Sequence, residues 1–221
     1  IITDTIQDFL IEHLKGTPVN YIFNSKADLL AIKKETKPES YYLYQFKHAD
    51  NFTNKVEALQ NLEQIDEIIP IALKDDFYFV RALGIDFIPD SLVDIYTERL
   101  QDMTLTDSSP VVRRTAYLKL LNDQNFDPML LSHIVIKSEK AYSVLELALN
   151  IIGLNEPESF NQYFNQFKNE DSDYLVSTLV SLIPDDSPNY LNYLDVKAKT
   201  IEPKYIDDFY KVYHEYVSKQ N

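Results

Sequence analysis

The feature that most constrains this chain is a recurrence. Small residues return at Ala58, Gly84, Ala116, Ala148 and Thr178, at steps of 26, 32, 32 and 30. Four residues beyond each stands a large aliphatic: Leu62, Ile88, Leu120, Ile152 and Leu182. Seven to ten residues before each lies an acidic or capping cluster: Asp50-Asn51, Asp75-Asp76, Asp107-Ser108, Ser138-Glu139 and Glu170-Asp171. Each part has a physical role. The cap satisfies the free amides of a helix start, the small residue lets a neighbouring helix come close, and the aliphatic one turn on fills the same face. A unit of this length, repeated, buries its apolar face only against its own neighbours.

The clearest copy is Asp107-Ser108-Ser109-Pro110-Val111-Val112-Arg113-Arg114-Thr115-Ala116, with Val112, Ala116 and Leu120 in line. Asn54-Lys55 and Val80-Arg81 hold the places of Val112-Arg113. Between these B-type helices the pattern puts A-type ones, such as Ser91 to Leu100 and Ser159 to Phe167. The expected fold is mainly α, a HEAT-like α-superhelix of stacked helix pairs. Its repeats are irregular, because the first step is short and Gly84 and Thr178 match imperfectly.

Residues 1–37 follow a different pattern. Short β-rich stretches, Ile6 to Ile11, Val19 to Phe23 and Leu29 to Ile32, are divided by Lys15-Gly16-Thr17-Pro18 and by Asn24-Ser25-Lys26-Ala27-Asp28, the spacing of antiparallel hairpins. This stretch holds five Lys and five Asp or Glu, so the whole net charge lies downstream. Lys37-Pro38 marks the boundary, since proline suits a first helical turn and not a central strand. The expected division is therefore 1–37, the terminal strands of a β-sandwich-like domain, and 38–221, the helical domain. Three strands are too few for an independent sheet.

Composition removes several classes of function. The 221 residues are long enough for one large core or two unequal units. Charged residues interrupt every apolar stretch before the roughly 18 residues of a membrane span, so none is expected. Lys+Arg 21 against Asp+Glu 35 gives 21 − 35 = −14. That field repels phosphate backbones, and nucleic acid is not an expected partner. Three separated glycines, Gly16, Gly84 and Gly153, rule out the P-loop, the dinucleotide fingerprint and the nucleophile elbow. The absence of Cys removes disulfides, thiolate metal sites and cysteine nucleophiles. The chain opens Ile1-Ile2-Thr3 and reads as a piece of something longer, with its cellular address, periplasmic or cytoplasmic, unmarked.

Reactive side chains are sparse. His13, His48, His133 and His214 are the metal or base candidates, and no two stand at helix-neighbour spacing. No zinc site is expected in this chain, and each His reads as a surface or edge residue with a local hydrogen bond. Asn169-Glu170-Asp171-Ser172-Asp173 begins like a calcium loop but lacks the central Gly and final Glu, so it reads as a cap before Tyr174 to Leu182. Asn51-Phe52-Thr53 fits a glycosylation acceptor and reads as another cap. Tyr205, Phe209, Tyr213 and Tyr216 have the spacing of the inner face of a capping helix. Arg113 and Arg114 are the candidate contacts for a peptide or partner carboxylate. The competing expectation is structural: an Arg ahead of the small residue reaches an acidic cap of an adjacent repeat, Asp75-Asp76 or Glu139. No catalytic residue is identified, and the chain alone is not expected to be an enzyme.

Pro18-Val19-Asn20-Tyr21-Ile22-Phe23-Asn24 through Leu29-Leu30-Ala31-Ile32, then Lys37-Pro38, Tyr44-Gln45-Phe46-Lys47-His48-Ala49 and Asn54-Lys55-Val56-Glu57-Ala58-Leu59, together resemble one known junction. It is the passage from the last strands of a β-sandwich into the HEAT-like C-terminal domain of bacterial M1-family zinc aminopeptidases, Bacteroidetes members most of all. Where that family often has Asp-Arg before the x-Glu-Ala step, this chain has Asn54-Lys55. The resemblance implies a non-catalytic C-terminal accessory domain that packs over an active site and shapes peptide access. It also implies zinc in the parent enzyme, with the upstream catalytic domain as partner and peptides as further contacts. The alternative is a free-standing HEAT-like module that binds a protein or peptide.

Overall fold

The computed structural model describes residues 16, 18–26, 28, 35–63, 65–183 and 190–200, together with Phe209, Lys211, His214 and Ser218. Among them the chain is mainly helical, and it divides into two compact units, residues 1–83 and 84–221. The boundary expected after residue 37 falls inside the first unit.

In the first unit α1 (Glu39–His48) packs on α2 (Phe52–Gln60), followed by the single turn α3 (Ile69–Ala72) and by α4 (Tyr78–Asp86), within which the division falls. Pro38 precedes α1, with Glu39 in its first turn and Lys47 in its last, charges that match the helix dipole. The Asn51 side chain caps α2 by accepting from the Asn54 amide at 2.9 Å. Tyr42 and Phe46 of α1 and Ala58 and Leu59 of α2 are buried, as are Ile68, Ile69, Ala72 and Leu73.

The stretch expected as a strand at Val19 to Phe23 carries no strand among the described residues. Within it Asn20 donates to the Gln45 side chain of α1 at 3.5 Å, and just ahead of it the Pro18 carbonyl accepts from Tyr41 at 3.2 Å. Val19, Tyr21 and Phe23 are exposed, so no apolar face is buried there that would set a strand register. The other two expected strands, Ile6 to Ile11 and Leu29 to Ile32, lie outside the described residues.

In the second unit a short 3₁₀ turn (Asp90–Leu92) leads into α5 (Val93–Thr106), α6 (Pro110–Leu120), α7 (Pro128–Ser138), α8 (Tyr142–Asn155), α9 (Pro157–Phe167), α10 (Asp173–Ser181) and α11 (Leu191–Lys197). Pro110, Pro128 and Pro157 stand in the first turns of α6, α7 and α9, where the missing amide costs nothing. Consecutive helices pair, α5 with α6 and α7 with α8, while α8 also touches α6 and α10. Ala116 and Ala148 are fully buried on α6 and α8, and Thr178 nearly so on α10, its hydroxyl donating to the Tyr174 carbonyl at 2.9 Å. A Cβ placed on Gly153 would stand 2.8 Å from both methyls of Leu182, so α8 and α10 approach closely there. Among the described residues no helix is long and apolar enough to cross a membrane.

Candidate functional site

The singled-out cations belong to a repeated arrangement. Lys55, Arg81 and Arg113 each stand three residues before a small residue, Ala58, Gly84 and Ala116, and each bonds an acidic loop. Arg81 donates to the carbonyls of Asp75 and Asp76 at 2.7 and 3.0 Å, and Arg113 to that of Asp107 at 2.8 Å. Lys55 reaches forward to the Asp75 carboxylate at 2.5 Å, and Arg113 forward to Glu139 with two bonds, Nε to Oε2 at 2.6 Å and Nη2 to Oε1 at 2.8 Å. The acids in turn cap: Asp75 accepts from the Phe77 amide, Asp107 from Ser109, and Glu139 from Lys140 and Ala141 at 2.7 and 2.8 Å. Arg113 thus ties the loop before its own helix to the loop before α8, whereas Lys55 makes only the forward bond and Arg81 only the backward ones.

Burial pushes the Glu139 carboxyl up, but the Arg113 hydrogen bonds, the two backbone amides and the Arg113 charge outweigh it and hold the group below its ordinary range. The same pairing raises Arg113. Arg114 is more open. Its Nε donates to the Ser143 carbonyl at 3.0 Å, and Nη2 stands 3.8 Å from Glu146. The Arg113 guanidinium is therefore engaged on the chain itself, while part of Arg114 faces solvent.

Among the described residues no three His, Asp or Glu side chains come together in a metal-holding group. His48 lies against the Tyr44 ring at 4.2 Å. Both ring nitrogens of His133 are occupied, Nδ1 with the Tyr163 hydroxyl at 2.7 Å and Nε2 with Glu156 at 3.1 Å. His214 is described and exposed, and His13 lies outside the described residues. In the calcium-like stretch, the Glu170 carbonyl and Asp171 carboxylate accept from Lys197 at 2.8 and 3.2 Å. Asn51 is spent on its cap and on the Ser25 carbonyl, at 2.8 Å. Phe209 is buried, and Tyr205, Tyr213 and Tyr216 lie outside the described residues.

A polar hub not anticipated in the sequence sits on α1. Gln45 is buried between Tyr42 and Phe46 on a largely apolar face. Its amide donates to the Asn54 carbonyl and to Glu57, both at 2.9 Å, while its oxygen accepts from Lys37 at 3.1 Å and from Asn20 at 3.5 Å. The Lys37 ammonium, fully enclosed, pairs with Glu35 at 2.9 Å and lies 5.0 and 5.5 Å from the ring centres of Tyr21 and Tyr42. Asn54 donates to the Ser25 carbonyl at 3.1 Å. A glutamine flanked by aromatics inside an apolar helix stripe is the sequence signal that marks such a hub.

The first unit also carries exposed aromatics: Phe52, Phe77, Tyr78 and Phe79 are each between 38% and 50% exposed. Phe52 and Phe77 contact each other at 5.8 Å, and Lys55 lies 5.6 Å from the Phe77 ring centre. Comparison with protein families, curated proteins and solved structures finds no match to this chain.

Proposed function

We propose that this chain is the C-terminal accessory region of an M1-family zinc aminopeptidase, a HEAT-like helical domain that packs over an active site carried elsewhere in the parent chain and shapes which peptides reach it. The observation that most supports this reading is the Gln45 hub. Asn20, Lys37, Gln45, Asn54 and Glu57, all in the stretches that resemble the family's junction, meet in one hydrogen-bonded group. A domain that controls access by its position needs a rigid entry, and buried, fully partnered polar groups provide one. The contacts of α8 with α6 and α10, each of these helices bearing one of the recurrent small residues, favour the HEAT-like arrangement.

In this reading zinc belongs to the upstream domain, where it supplies an activated water. This chain contributes walls and placement, and the exposed Phe52, Phe77, Tyr78 and Phe79 are its contact surface. The same aromatic patch favours the second reading, a free-standing module whose partner is a separate protein or peptide.

The test uses the parent protein with and without residues 38–221. The expected result is retained zinc and retained cleavage of a short substrate, with an altered preference between short and long peptides. A soluble deletion with unchanged preference overturns the proposal. A parent gene without an upstream His-Glu-x-x-His motif overturns it in favour of the module.

A further inference from the structure

A cavity of about 620 Å³ lies between α9, the loop after it, and α11. That volume is within the range of small-molecule sites, about 300–1,000 Å³. Its walls are rich in carboxamides: Asn161 and Asn165 from α9, Asn169 from the loop and Asn192 from α11. Phe164, Tyr190 and Tyr193 form an apolar base, with Phe164 edge-on to the two tyrosines at 4.6 and 4.9 Å.

Three observations restrict what such a cavity takes. First, its cations are already engaged. Lys197 is held by the Glu170 carbonyl and Asp171, and Lys168 donates to the Asn165 oxygen at 3.0 Å. A phosphate or carboxylate ligand would compete with these bonds and face the exposed Asp171 carboxylate in the same lining, in the field of a chain of net charge −14.

Second, the amides are directed. The Tyr190 hydroxyl donates to the Asn161 side-chain oxygen, which leaves both Asn161 N–H groups free of that bond. Asn169 and Asn192 are exposed, and their side chains have no protein hydrogen bond among the described residues. Third, the Tyr193 hydroxyl is buried and has no hydrogen-bond partner, although Tyr193 as a whole is only 9% exposed and lines the cavity. An unpaired buried hydroxyl costs about 1–3 kcal/mol, a cost that a ligand hydroxyl would relieve.

Several neutral groups that both donate and accept, above a ring-lined base and between charges of both signs, match a ligand with many neighbouring hydroxyls and no net charge. We propose that the α9–α11 cavity binds a neutral saccharide, its hydroxyls bonded by Asn161, Asn192 and Tyr193 and a C–H face set against Val196 and the tyrosines. The site stands whether or not the chain serves a peptidase.

The test is a titration of the 221-residue chain, labelled with nitrogen-15, with three probes: maltotriose, the trimer of N-acetylglucosamine, and the neutral peptide trialaninamide. The expected result is a saccharide-dependent shift of the Asn161 and Asn192 side-chain amide signals, with a dissociation constant on the order of 1 mM. Asn192→Ala and Tyr193→Phe should each weaken binding about three- to tenfold, the equivalent of one net hydrogen bond. Asn192 is exposed, so that variant keeps the fold and provides the cleaner reading of the two. No shift with either saccharide, a shift with trialaninamide alone, or binding unchanged in Asn192→Ala and Tyr193→Phe overturns the proposal.

Discussion

Removing the Arg113 to Glu139 pair isolates the contact that ties one repeat loop to the next. The pair is bidentate and largely enclosed, with side-chain exposures of 15% and 7%, and each partner has additional backbone bonds. An exposed pair is worth about 0–1 kcal/mol, and removing one partner of a fully buried pair costs about 3–5 kcal/mol. Arg113→Ala lies between these, at about 2–3 kcal/mol, because it strands Glu139 and frees the Asp107 carbonyl. For a chain of this size that is a fall in Tm of roughly 4–12 °C.

The assay is a double-mutant cycle of Arg113→Ala and Glu139→Gln by urea unfolding. The expected coupling is about 1.5 kcal/mol or more at pH 7. The pH dependence has a fixed sign. Glu139 is depressed in the folded chain, so its contribution is complete above the unfolded carboxylate range, near 4.3, and is lost as pH falls through the lower folded value. A coupling below about 0.5 kcal/mol, or one unchanged at pH 3, refutes the structural role. In the parent enzyme that the proposal requires, the double variant Arg113→Ala, Arg114→Ala should lower stability and leave specificity unchanged. Raised KM with stability intact would assign these arginines to substrate instead.

Three further substitutions probe the packing. Ala116→Glu places a charge and extra volume at a fully buried position on a helix that touches both α5 and α8, and should cost about 3–5 kcal/mol; an unchanged thermal melt refutes the repeat register. Gln45→Leu should cost about 2–4 kcal/mol, because it leaves Lys37, Glu57 and the Asn54 carbonyl short of a partner, whereas Glu57→Ala should cost less than half as much; calorimetry that ranks the two in the opposite order contradicts the hub.

The helical character after Pro38 was legible in the sequence because helix signals are local. Proline at a first turn, an acid or Asn before it, and apolar residues one turn apart act within a few residues of one another, and so does the alternation of small residue and aliphatic that marks each repeat. The lack of glycine-rich loops and of cysteine is equally a matter of composition. Only the tertiary structure decided which distant groups meet. The sequence offered Arg113 two acidic loops, and the choice of Glu139, 26 residues on, depends on which helix faces come together. Val19 to Phe23 has strand-like composition, yet its Asn20 bonds a side chain of α1. Gln45 becomes a hub, and the carboxamides of α9 and α11 share one cavity, through the same cause. Helix period and capping are set by neighbours in the chain, whereas the pairing of side chains far apart in sequence is set by how whole helices pack, which no local pattern encodes.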